Sequence, residues 1–197
     1  MKANLYALGA IALWATLATL GVSLSHVPPF LLTGLSLLIG SVLALPLLRH
    51  DLHQWRVPAA TLALGVYGLF GFHFLLFIAL RHAPPVEANL VNYLWPLFMV
   101  VLAPLLLPGL QLRSAHIAAA LLGFAGAAMA ILGASGDTPG SAVATGGWSW
   151  GYLLALASGL IWASYSLLTK RVKPFPTAAI GLFGLLSGLL SLLCHWA

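Results

Sequence analysis

Charge is what this sequence has least of. Only 6% of its 197 residues are charged, against roughly 25% in ordinary soluble domains. The acids are three, Asp51, Glu87 and Asp137. The single cysteine, Cys194, excludes an intrachain disulfide and a Cys-based zinc cluster. A small buried hydrophobe is its expected role. No two histidines stand at metal-ligand spacing with a third ligand, so neither a metal site nor a cofactor is expected. The net charge of +5 does not point to nucleic acid as a partner. The basic residues are confined to loops between apolar runs, which is the pattern of membrane orientation.

What the chain has in abundance is apolar residues, at 61%, and they are gathered into runs. Seven runs are long enough to cross a bilayer: approximately 5–24, 30–48, 57–80, 87–107, 115–134, 148–169 and 177–196. The first is longer than the h-region of a signal peptide and no A-x-A site follows it, so it is read as a span. With the N-terminus inside, Lys2, Arg49, Arg56, Arg113, Lys170, Arg171 and Lys173 all fall on the cytoplasmic side, and only Arg81 falls outside. The opposite orientation inverts that distribution.

An internal repeat is visible at an offset of 148 residues: Trp14-Ala15 aligns with Trp162-Ala163, Pro28 with Pro176 and Gly40 with Gly188. Spans one and six then run in opposite directions. Five spans per repeat is an odd number, which forces inverted topology. The expected organisation is a first five-helix repeat at 1–135, a Gly/Ser/Thr-rich loop at 136–147, and the start of a second repeat at 148–197. The second repeat holds two spans where the first holds five. That predicts three further spans beyond Ala197, or two chains that complete each other.

Polar groups inside the spans single out a few positions. Span four opens with EANLVNYLWP, so Asn89, Asn92, Tyr93, Trp95 and Pro96 enter a run that lipid would surround. Pro96 has no N–H, which frees the carbonyl of Asn92 and predicts a kink there. A broken, polar helix at mid-depth lines a cavity or is held by interhelical hydrogen bonds. Trp14, Trp95 and Trp162 lie away from the interfaces where tryptophan usually collects, and together suggest an aromatic cavity. On span six, Ser158, Trp162, Tyr165, Ser166 and Thr169 form one stripe at steps of three and four. Span three carries Phe70, His73, Phe74 and Phe77 on one side. His73 is the ionisable side chain deepest in any span, and is therefore a functional candidate. A rival signal is Gly133-Ala134-Ser135-Gly136, which matches the G-x-S-G of intramembrane serine proteases, with His195 two spans later. In those enzymes the serine begins a helix, whereas here it ends one.

EANLVNYLWPLF on span four, the mid-span Trp-Ala pairs at 14 and 162, and GFHF on span three resemble the EamA-type drug/metabolite transporters over the whole chain. The resemblance implies an all-α polytopic membrane protein of ten spans in two inverted five-helix repeats, seven of them present here. It implies a transporter, not an enzyme, in the bacterial inner membrane, and the distribution of basic residues gives it a cytoplasmic N-terminus. It further implies export of aromatic amino acids or related small metabolites, with a multidrug or cation exporter as the alternative. Carried onto matching positions, the substrate-binding set is Trp14, His73, Tyr93, Trp95, Pro96 and Trp162. Asn89, Asn92 and Tyr165 join it from the residues themselves. The partners expected are the small-molecule substrate and the lipid bilayer; the sequence does not set the oligomeric state. No acid lies in mid-span, so facilitated transport by alternating access is expected, without proton coupling.

Overall fold

In lipid a backbone group has no water to bond, so a spanning segment must satisfy its hydrogen bonds within itself. The computed structural model describes residues 4–9, 12, 13, 23, 24, 26–48, 55–136 and 149–197, and every regular element among them is helical. Helix α1 is Pro29–Ala44, continued by a 3₁₀ turn at Leu45–Leu48. Helix α2 is Ala59–His82. Span four becomes two helices, α3 (Pro85–Asn92) and α4 (Trp95–Leu106). Then come α5 (Ser114–Gly136), α6 (Gly151–Leu168) and α7 (Ala179–Trp196). Four stretches are long and apolar enough to cross a membrane: Ala59–His82, Pro85–Leu106, Gly151–Leu168 and Ala179–Trp196. Most of the expected first span lies outside the described residues.

Proline sets several of the starts. Pro29 and Pro85 stand in the first turns of α1 and α3, where a missing N–H leaves no bond unmade. Ala83 is extended (φ −143°, ψ 155°), as a residue before proline should be. Gly109, at φ 84°, supplies the left-handed residue of the α4–α5 turn.

The expected kink at Pro96 is a full break. Helix α3 ends at Asn92, and Tyr93 (φ −65°, ψ 2°) and Leu94 (φ −70°, ψ −7°) make a tight turn. The Leu94 N–H turns back to the Val91 carbonyl at 3.1 Å, and the Phe98 N–H restarts the ladder on Leu94 at 3.0 Å. Pro96 thereby falls near the start of a new helix, where it is tolerated, and not inside an old one. A second irregularity has no sequence expectation behind it. Tyr67–Gly71, within α2, is π-helical, and such turns recur at functional sites.

The helices pack through small residues, as membrane helices do. A Cβ on Gly34 of α1 would lie 3.1 Å from the Gly188 carbonyl of α7, and one on Gly188 would lie 3.0 Å from the Gly34 carbonyl. Nearby, a Cβ on Gly184 would lie 3.3 Å from the Leu37 carbonyl. The repeat offset pairs Gly34 with Leu182 and Gly188 with Gly40. The helices stay close at that symmetry-related end too, where a Cβ on Gly181 of α7 would lie 2.7 Å from the Ala44 Cβ of α1. Gly40 lies beside this contact: nothing stands within 4 Å of a Cβ on it, and it lines a cavity of about 310 Å³ with Ser36, Ser41, Ile180 and Gly181.

Candidate functional site

The break in span four rests on α6. The side chain of Asn92 is buried, and its Oδ1 accepts a hydrogen bond from the Ser158 hydroxyl at 2.7 Å. The carbonyl that Pro96 frees is packed against Gly159, where an added Cβ would lie 2.8 Å from the Asn92 oxygen. Asn92 therefore ties the break to α6 through both its side chain and its backbone. Neither group stands open toward a ligand.

Helices α2 and α6 run antiparallel and meet through rings. A Cβ on Gly68 would lie 2.3 Å from the Tyr165 ring, so only glycine leaves room for that ring on the π-helical turn. Tyr165 contacts Trp162 (centroids 5.7 Å apart), Trp162 contacts Phe72 (5.2 Å), and Phe72 contacts His73 edge-on (5.0 Å). The chain continues from His73 to Phe77 (5.9 Å) and from Phe77 to Phe30 of α1 (6.1 Å), with Phe74 and Phe70 alongside. All of these separations lie in the range where aromatic pairs attract. Apart from Phe30, which is buried, each ring is half-buried. Phe72 lies ten residues before His82 on α2, about 15 Å along the axis, half the depth of a bilayer core of roughly 30 Å.

His73 Nδ1 is 2.6 Å from the Leu69 carbonyl. A carbonyl can only accept, so Nδ1 carries the proton. In the neutral ring Nε2 then holds a lone pair that meets no partner among the described residues. At mid-depth, among rings, it can accept a hydrogen bond from an indole N–H, a phenol or an ammonium.

The structure brings together His73, Trp162 and Tyr165 from the expected set. Asn92 joins α6 one turn away, at Ser158. Asn89 and Trp95 are half-buried on the broken span and stand outside the ring chain among the described residues. Tyr93 and Pro96 are exposed and face the other way, lining a cavity of about 260 Å³ with Leu97, Ala120, Gly123 and Phe124 of α4 and α5. A larger apolar cavity of about 480 Å³ adjoins it, lined by Val100, Pro104 and His116 among others. Trp14 lies outside the described residues. Ser135, of the rival protease signal, sits in the last turn of α5, and His195 sits in the last turn of α7 with its ring against Trp196.

Sequence reasoning met Phe72 only within GFHF and passed over Phe30. Phe72 lies off the stripe of Phe70, His73 and Phe77, and only α6 gives it a partner on another helix. Phe30 is the first residue of its expected span, where an isolated ring carries no signal. It also passed over the joint at one end of the helices. There the Ser149 hydroxyl donates to the His82 carbonyl, the Tyr152 phenol donates to the Glu87 carboxylate, and the His82 and Trp150 rings are 4.7 Å apart. Glu87 is the single carboxylate among the described residues.

Comparison with known proteins agrees with this architecture. The EamA-like transporter family matches residues 1–132. The aromatic amino acid exporter YddG of Ancylobacter novellus is 44% identical over 197 residues, covering 98% of this chain and 67% of that protein. The aromatic amino acid exporter YddG of Salmonella typhimurium is 31% identical, over 86% of this chain and 59% of that protein. A crystal structure superposes with a TM-score of 0.82 at 40% identity, covering 99% of this chain and 67% of the other. The chain thus spans about three-fifths to two-thirds of the length of these relatives. By sequence and by fold it is an integral membrane protein and belongs to the EamA-like transporter family.

Proposed function

We propose that the protein exports aromatic amino acids or closely related small metabolites by alternating access, without using a proton gradient. The observation that carries this is the half-buried ring chain from Tyr165 to Phe77, with the His73 Nε2 lone pair at its centre. Rings stack on an aromatic side chain for about 0.5–1.5 kcal/mol per pair beyond the area they bury. The same faces attract an ammonium. The two curated relatives named above are aromatic amino acid exporters.

Alternating access is supported by the α1–α7 interface. Equivalent helices of an inverted repeat meet through small residues from Gly34 and Gly188 to Ala44 and Gly181, with a cavity left beside Gly40. A contact of small residues lets the two helices slide or rock against each other, which is the motion such repeats permit. A cytoplasmic N-terminus is supported by the grouping of charge. The Trp55 indole donates to the Ala178 carbonyl at 2.8 Å, which sets Arg56 beside the start of α7. Arg81 and Glu87 stand at the opposite end of α2. Residues 1–135 form the first repeat and 148–197 begin the second, in a bacterial inner membrane.

The test is efflux of radiolabelled tryptophan from cells that overproduce the full-length protein. Trp162→Ala removes the ring between Phe72 and Tyr165, and should lower tryptophan efflux about two- to tenfold while membrane insertion stays normal. Efflux equal to that of the parent, at equal protein in the membrane, would contradict the assignment.

A further inference from the structure

We propose that Arg81 receives the carboxylate of the aromatic substrate at the end of the ring chain, and so favours amino acids over aromatic amines. This rests on the export function proposed above.

The stripe of α2 that carries the rings does not stop at Phe77. His73, Phe77 and Arg81 follow at steps of four, one above another on one helix face. Arg81 is exposed, in the last turn of the helix. Its guanidinium lies over the Phe30 ring, 5.5 Å from the centroid, and Phe30 is the ring that Phe77 meets. The chain of rings is therefore continued by a cation.

A guanidinium has five N–H donors in a planar fork, and contact with one ring, 5.5 Å from the guanidinium carbon, leaves donors that can take a carboxylate. The single carboxylate among the described residues, Glu87, accepts the Tyr152 phenol. One turn of helix, about 5.4 Å, separates Phe77 from Arg81. An aromatic amino acid has a similar separation between its ring and its carboxylate. A substrate whose ring lies at the level of His73 and Phe77 brings its carboxylate to Arg81, with the Nε2 lone pair of His73 beside a polar ring atom such as an indole N–H. An amine with the same ring lacks the group that Arg81 binds.

A cation in the last turn of a helix also interacts favourably with the helix dipole. If that were its whole role, its loss would not distinguish one ligand from another. The test uses the full-length protein in proteoliposomes, with Arg81→Gln and Arg81→Lys. Two quantities are measured for each: the KM for tryptophan, and the concentration of tryptamine that halves tryptophan transport. Removing the charge should raise the KM about three- to tenfold, as expected for a solvent-facing charge-assisted hydrogen bond, and leave the tryptamine value unchanged. The ratio of the tryptophan KM to the tryptamine value then rises by the same factor, and lysine reverses most of the rise. A ratio equal to that of the parent in Arg81→Gln overturns the inference. A parent protein that does not transport tryptophan speaks instead against the export function.

Discussion

At the scale of single residues, Ser158 and Gly159 hold the broken span. The Ser158 hydroxyl meets Asn92 Oδ1 at 2.7 Å, and Gly159 leaves room for the Asn92 carbonyl. Ser158→Ala should lower stability by about 1 kcal/mol, the scale of an interhelical hydrogen bond in a membrane. Gly159→Ala should cost more, because its methyl would stand 2.8 Å from the carbonyl oxygen. Melting of the detergent-solubilised protein, followed by the loss of its size-exclusion peak, orders the two. A Gly159→Ala protein as stable as the parent would contradict the packing described. Asn92 also shows how far residue types can be read. A mid-span asparagine needs a partner, and that much was legible. Whether the partner is a substrate or a serine four residues from Trp162 depends on how α3 and α6 are docked, which spacing along one helix does not encode.

At the scale of elements, the helices were legible because length, apolarity and the prolines at their starts agree. The expected span at 57–80 is found as Ala59–His82, and the one at 148–169 as Gly151–Leu168. The split of span four was legible only as a kink. Pro96 marks the disturbance, but the turn at Tyr93 and Leu94 depends on how the freed carbonyl is met by α6. The π-helical turn at Tyr67–Gly71 was not legible. One extra residue in a turn changes no composition, and the ring packed on it at Gly68, Tyr165, comes from another helix. Helices α1 and α7 give the prediction at this scale. A side chain on Gly40 meets nothing within 4 Å in this conformation, so Gly40→Leu should melt as the parent does. If the cavity beside Gly40 closes during transport, the added bulk should slow tryptophan efflux about tenfold, the effect of a modest overpacking cost. Unchanged efflux would show that this cavity does not close.

At the scale of the whole molecule, the family and the helical architecture could be expected from NYLWP, the mid-span tryptophans and the repeat. The ring chain joins α1, α2 and α6, so the stripes on spans three and six were each visible in the sequence, whereas their junction through Phe72 and Trp162 was not. The distribution of acids bears on energy coupling. Exporters that exchange substrate for protons commonly use a carboxylate in mid-span. Here Asp51 and Asp137 fall in loops of the sequence, and Glu87 sits in the first turn of α3, joined to Tyr152. The measurement that bears most directly on the account is tryptophan uptake into proteoliposomes of the full-length protein, with and without an imposed pH difference. Facilitated transport predicts saturable equilibration of tryptophan down its own gradient, accelerated by unlabelled tryptophan on the far side and unaffected by a protonophore. Accumulation against the gradient that is driven by the pH difference and abolished by the protonophore would contradict it.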